Sequence, residues 1–237
     1  MLRQVGVWSV LLLLSWGAPA QDSLSFWEDR AWANTDPLNP DSLAYYYQKI
    51  AGYHRATDQL DGFLYAYWDW QAGFFDNTEV ALALLDTAAG QMWRAPATPA
   101  ESEALLWLEV NRGYHRFQLG SVTGAIRAYE RALDLFEAHD FPDFDALDYL
   151  HLPLGAHYTR LGDNAKARTL YDTAIASFRD QADAGTLAGL YNNLGLTYWN
   201  EGKQQSAIAA YEKGLAIEGL PPEQAGLLML SAGRSYR

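Results

Sequence analysis

The chain of 237 residues contains no cysteine, which removes disulfides, thiolate metal sites, cysteine nucleophiles and cysteine-linked lipid anchors from its chemistry. Charged residues are scarce at 19%, and the 17 Lys and Arg are outnumbered by 29 Asp and Glu. A formal charge of −12 opposes nonspecific binding to nucleic acid or to an anionic membrane, both of which need a basic surface. After the first twenty residues no apolar run is long enough to span a bilayer. Motifs that carry chemistry are missing too: there is no Gly-x-Ser-x-Gly elbow, phosphate loop or His-Glu-x-x-His. The chain therefore reads as non-catalytic, and neither cofactor nor metal is implied.

What the sequence does have is aromatic and apolar residues, 14% and 49%, enough to build a core. Residues 1–20 read as a secretory signal. Arg3 gives a positive start, Val5 to Trp16 form an apolar run, and Ala18-Pro19-Ala20 offers a small-x-small cleavage site. That run is shorter than the about 20 apolar residues of a membrane anchor. Export to the periplasm or the extracellular space is the expected outcome.

The dominant feature is an internal repeat. Gly120, Gly162 and Gly202 are each followed five residues on by Ala125, Ala167 and Ala207, and four further on by Tyr129, Tyr171 and Tyr211. Ala132, Ala174 and Gly214 come next, and Gly113, Gly155 and Gly195 stand seven residues before the first glycines. Ala167, Tyr171, Ala174, Ile175 and Phe178 fall on one helical stripe, while Leu154, Gly155 and Tyr158 form a second stripe on the helix before it. Glycine between the stripes suits a left-handed helix end. Each unit is thus a helix, a tight turn and a helix, and such units must stack to bury their stripes.

This unit resembles the tetratricopeptide repeat. Tyr191, Leu194, Gly195, Tyr198, Ala207, Tyr211 and Pro221 match its pattern, and His151, Leu154, Gly155, Tyr158, Ala167 and Tyr171 match with histidine in the leading aromatic place. In the copy starting near Leu105, Arg112 and Arg116 stand where Leu and Tyr are expected. Met229, Ala232, Gly233 and Tyr236 resemble the start of another copy. The resemblance implies an all-α fold, a right-handed superhelical solenoid of stacked antiparallel helix pairs.

Three such repeats are expected over 101–220, with the start of a further one over 221–237. Upstream, 43–95 reads as helical and as one degenerate repeat, with Ser42 as its cap and Gly73 as a displaced turn. Residues 21–42 read as a leader segment. Thr98-Pro99-Ala100-Glu101 reads as a helix start with threonine as cap and glutamate reaching back.

Two clusters were weighed for chemistry. His139, Asp140, Asp143, Asp145 and Asp148 have Phe141, Pro142 and Phe144 interrupting any ligand spacing, so they read as an acidic loop. Trp68, Trp70 and Trp93 invite sugar stacking, but large aromatics at helical spacing usually belong to a core.

The resemblance implies a concave groove lined by the first helix of each unit. It would carry Trp107, Asn111, Tyr114 and Gln118, then Tyr149 and Arg160, then Asn192, Asn193, Trp199 and Asn200. Rings beside amides suit a peptide main chain, so the expected partner is a protein or peptide. The lysines with which some relatives clamp a C-terminal carboxylate are missing from these positions. An export signal ahead of such repeats also resembles the front part of bacterial proteins that end in a caspase-like CHAT protease domain. The alternative is the sensory arm of a membrane-bound receptor kinase. The chain is expected to be the N-terminal part of a longer protein, since it stops within the first helix of a repeat.

Overall fold

The computed structural model describes residues 21–35, 38–139 and 141–236. The signal reading of 1–20, Asp140 of the acidic loop and the terminal Arg237 lie outside the described residues. Within them the chain forms eleven α-helices: α1 Gln21–Trp32, α2 Pro40–Ala56, α3 Leu60–Ala72, α4 Thr78–Gln91, α5 Pro99–Gln118, α6 Val122–Ala138, α7 Leu152–Leu161, α8 Asn164–Phe178, α9 Ala184–Asn200, α10 Gln204–Leu215 and α11 Pro222–Ser235. A single isolated bridge joins Thr35 and Leu38.

Each helix packs on the next, and first helices of successive pairs also touch, α3 on α5, α7 on α9 and α9 on α11. This is a solenoid of stacked antiparallel helix pairs. Gly120, Gly162 and Gly202 close the α5–α6, α7–α8 and α9–α10 turns with φ of 78°, 85° and 71°, a region L residues enter only at a cost. Inside each pair a buried tyrosine lies flat on a glycine backbone. A Cβ added to Gly113, Gly155 or Gly195 would run into the ring of Tyr129, Tyr171 or Tyr211.

The N-terminal part departs from the sequence reading. Residues 21–42, expected as a leader segment, supply α1 and the start of α2. Ala31 is buried, and Leu24 and Trp27 pack on the core formed by Leu43, Ile50, Leu60 and Leu64. The cap of α2 is Asn39 rather than Ser42: the Ser42 N–H donates to Asn39 Oδ1 at 3.1 Å, and Pro40 takes the first position, where no N–H is needed. Residues 43–95 hold three helices, so α2 pairs with α1, and α3 with α4. The α2–α3 turn, which joins these two pairs, has Asp58 at φ 57°. Its side chain repays part of that strain by accepting from Trp93 Nε1 at 2.7 Å and Arg94 Nε at 3.0 Å.

The α5 start follows the expected capping with one change. The Glu101 N–H donates to Thr98 Oγ1 at 3.2 Å, while the Glu101 carboxylate reaches past the cap to accept from the Ala97 N–H at 2.7 Å and from both Nη atoms of Arg94. Between α6 and α7 the chain passes through a segment whose Phe141 and Phe144 are buried, then a π-helical turn, Leu147–His151. In that turn the Leu152 N–H donates to the Leu147 carbonyl five residues back. Pro153 explains it: proline has no N–H for the Tyr149 carbonyl, and its ring clashes with that carbonyl in a regular helix.

Candidate functional site

Among the described residues α5 and α7 lack the close packing seen between α3 and α5, α7 and α9, and α9 and α11, and Phe144 packs between Trp107 of α5 and Tyr149 of the π turn. The result is an open cleft of about 630 Å³ on the face formed by the first helices, lined by aromatics. Tyr65 and Trp68 come from α3, Phe75 from the turn after it, Trp107 and Tyr114 from α5, and Tyr149 from the π turn. The rings form two connected groups. Trp68 and Trp107 have centroids 6.2 Å apart, and Trp107 meets Phe144 edge-on at 4.9 Å. Phe75 stacks on Tyr114 at 5.2 Å with 18° between planes. The Trp68 indole N–H is buried without an acceptor among the described residues.

Four of the ten sequence-predicted groove residues, Trp107, Asn111, Tyr114 and Tyr149, line this cleft. Asn111 donates from Nδ2 to the Trp107 carbonyl at 2.9 Å, which fixes its amide beside the rings. The other six lie elsewhere. Gln118 is exposed at the end of α5, and Arg160 stacks over Phe117 at 5.4 Å. Two asparagines already have structural partners: Asn192 Oδ1 accepts from Ser231 Oγ of α11 at 3.0 Å, and Asn200 Nδ2 donates to Asn164 Oδ1 at 3.2 Å. Asn193 is half-buried and Trp199 exposed, both on α9.

Sequence reasoning missed Tyr65, Trp68 and Phe75. A usable trace existed, since Trp68, Trp107 and Tyr149 follow one another at steps of 39 and 42 residues, close to the repeat step itself. The three tryptophans weighed for sugar stacking share no common face. Trp70 is buried against Tyr47 and Tyr67, and Trp93 packs against Phe63 and bonds to Asp58.

One carboxylate lines the cleft. Asp148 lines it and also lines a second depression of about 340 Å³ with Asp143, Asp145 and Asp183. Its carboxyl is pushed above the usual range by burial, then by the charges of Asp145 and Asp183. The Tyr65 hydroxyl is pushed up by burial, then by the charges of Glu103, Asp61 and Asp69. Of the acidic-loop residues, His139 packs on Phe141, and Asp145 Oδ1 accepts from the Asp148 N–H at 3.1 Å. Among the described residues no group of three or more His, Asp or Glu converges as metal ligands would.

The two arginines that depart from the repeat pattern point to a different side of α5. Arg112 pairs with Asp86 of α4 at 2.8 Å and Glu109 at 2.6 Å, Arg116 pairs with Asp86 at 2.8 Å, and Arg131 of α6 pairs with Glu109 at 2.7 Å. Ion pairs there take the place of the Leu and Tyr packing found in the later repeats.

Residues 145–217 match the family described as Tetratricopeptide repeat. Solved structures share the fold over most of the chain. BtubC (BKLC) from P. vanneervenii is 18% identical, with a TM-score of 0.56 over 90% of this chain and 83% of that one. The TPR-like repeats of a kinesin-light-chain-type protein from Podosopora anserina are 16% identical, with a TM-score of 0.54 over 84% and 87%. The MamA RS-1 ArsTM double mutant is 16% identical, with a TM-score of 0.51 over 73% and 90%. No curated protein sequence matches the chain. Among the described residues no helix is long and apolar enough to cross a membrane.

Proposed function

We propose that this chain, whose residues 145–217 match the tetratricopeptide repeat, is a protein-interaction scaffold that captures a peptide or a partner helix in its aromatic cleft. The observation that carries the reading is the cleft itself. Rings from α3, from α5 and from the turns that follow α3 and precede α7 gather along one cleft, with Phe75 and Tyr149 exposed and Tyr65, Trp68, Trp107 and Tyr114 half-buried. Tyr and Trp are the side chains that most often anchor interfaces, because they offer large, stiff contact area. The Asn111 side-chain carbonyl, its amide nitrogen held by Trp107, adds a polar group suited to a main chain laid across the rings.

A photo-crosslinking amino acid placed at Tyr149 tests this. One partner should be captured there in native cells, not from Thr173 on α8, and Trp107→Ala should remove the adduct. Equal capture from both positions would place the interaction outside the groove.

Export, and a CHAT protease-like domain downstream of Arg237, belong to the same proposal and rest on sequence alone. The residues read as a cleavable signal, Arg3 to Ala20, support export; Edman sequencing of protein recovered outside the cytoplasm should begin at Gln21. Reading the gene beyond the Arg237 codon tests the second part. A His and Cys domain supports it, and an apolar run of about 20 residues favours the receptor alternative.

A further inference from the structure

The rings of the cleft accept any apolar anchor, but its charges are one-sided. Among the described residues neither the cleft nor the depression that shares Asp148 is lined by a lysine or arginine. Asp143, Asp145, Asp148 and Asp183 take part in none of the ion pairs formed among those residues. Asp183 is occupied in capping α9, accepting from the Gly185 and Thr186 N–H groups, whereas Asp148 uses only its own N–H, donated to Asp145. An aromatic surface with a carboxylate in it and three more in the depression beside it is the chemistry that attracts a cation with an apolar stem. Ring faces are negative and draw a cation, tryptophan most strongly, and the stems of lysine and arginine cover apolar surface while their heads reach polar groups.

We propose that the anchor taken by this cleft is a basic side chain, an arginine or lysine of the partner peptide. Its stem lies across Trp68, Trp107 and Tyr149, and its charged head meets Asp148, with Asp145 and Asp183 behind it. This rests on the groove reading above and narrows the partner to a basic segment. The net charge of −12 acts in the same direction, drawing such a segment in before contact.

The test uses the chain's own tryptophan fluorescence and four blocked hexapeptides that differ at one central position: arginine, lysine, norleucine or glutamate. The arginine and lysine peptides should bind about tenfold tighter than the norleucine peptide at low salt, and the glutamate peptide most weakly. Asp148→Asn should remove that preference, bringing the arginine and lysine affinities down to that of norleucine, and added salt should narrow the wild-type gap. Tyr149→Ala should weaken all four, with helical circular dichroism confirming that both variants fold. Norleucine binding as tightly as arginine, with Tyr149→Ala still weakening both, overturns the cationic anchor and leaves the groove reading standing. Binding that ignores Tyr149→Ala, or no saturable binding by any peptide, overturns both.

Discussion

Trp107 on α5 and Tyr149 on the π turn before α7 meet edge to face, with ring centroids 5.1 Å apart and 66° between planes. They come from adjacent repeats and hold corresponding places in them, so the contact is a product of repeat register. Phe144 touches both rings, at 4.9 Å and 5.9 Å, and props them where α5 and α7 separate. The aromatic wall therefore depends on a junction that Phe144, rather than close packing of α5 on α7, fills.

Removing both rings should cost more binding than removing the exposed aromatic on α9. Trp107→Ala with Tyr149→Ala is expected to weaken partner capture by about 2 kcal/mol or more, the scale of an interface hot spot. Trp199→Ala with Asn193→Ala should weaken it less, because those two side chains lie outside the cleft. Calorimetric titration of both double variants with the captured partner checks the ranking. Equal losses would move the binding centre toward α9.

Two glycines of α9 should respond in opposite directions to the same substitution. A methyl at Gly195 would enter the ring of Tyr211, so Gly195→Ala is expected to destabilise by about 1–3 kcal/mol, the range for overpacking. Gly189 has nothing within 4 Å of an added Cβ, so Gly189→Ala should stabilise by about 0.5–1 kcal/mol through helix propensity. Urea unfolding of both variants decides it, and two losses of similar size would mean that the tyrosine–glycine contact is not what holds the pair.

The later repeats were legible because their turns and contacts demand unusual residues. Only glycine fits at Gly155 or Gly195 beneath a tyrosine ring, and it is strongly favoured at Gly162 and Gly202. Upstream that signature is missing. The left-handed residue there is Asp58, between pairs, and Gly73, which resembled a displaced turn glycine, has an ordinary helical φ of −64°. Without the signature, α1 to α4 could not be put in register, and Trp68 and Phe75 could not be assigned to the face that Trp107 occupies. Asn192 and Asn200 failed differently: position put them on first helices, but hydrogen bonds to Ser231 and Asn164 depend on neighbours no spacing rule describes.

Arg94 fastens the α2–α3 turn to the start of α5, bonding Asp58 on one side and the buried Glu101 carboxylate at 2.7 Å and 2.8 Å on the other. The Arg94 guanidinium, with the Ala97 and Thr98 capping bonds, holds the Glu101 carboxyl down to about 2, against a partly opposing effect of burial. A lowered carboxyl stabilises fully above its unfolded value of 4.5, and that contribution is lost as pH falls from there through about 2. Glu101→Ala is expected to cost about 1–2 kcal/mol at pH 7, discounted because Arg94 is partly exposed. The deficit should shrink as wild type and variant are compared at progressively lower pH below 4.5. A constant deficit across that range would assign the loss to packing.

Three histidines give the opposite end of the pH scale its own test. His115, His151 and His157 are buried, and burial holds all three below the ordinary imidazole value of 6.5, with Arg160 adding to the effect at His157. Their ring contacts suit neutral imidazole: His157 lies 4.3 Å from Phe117, and His151 meets Phe178 at 5.4 Å in the leading aromatic place of its repeat. Below 6.5 the unfolded chain binds protons that the folded chain refuses, so stability falls with pH through this window. Asp69, Asp148 and Asp172 are shifted upward by burial and act in the other direction, since folding favours their protonated forms as pH drops. The raw stability curve mixes both effects, and a single variant separates them. His151→Phe keeps an aromatic in the same place and removes one titration. Its melting temperature should fall less steeply than that of wild type between pH 7 and pH 5, by about a third of the histidine contribution if the three share equally. Parallel curves for variant and wild type would mean that His151 is protonated in the folded chain, at odds with its buried contact to Phe178.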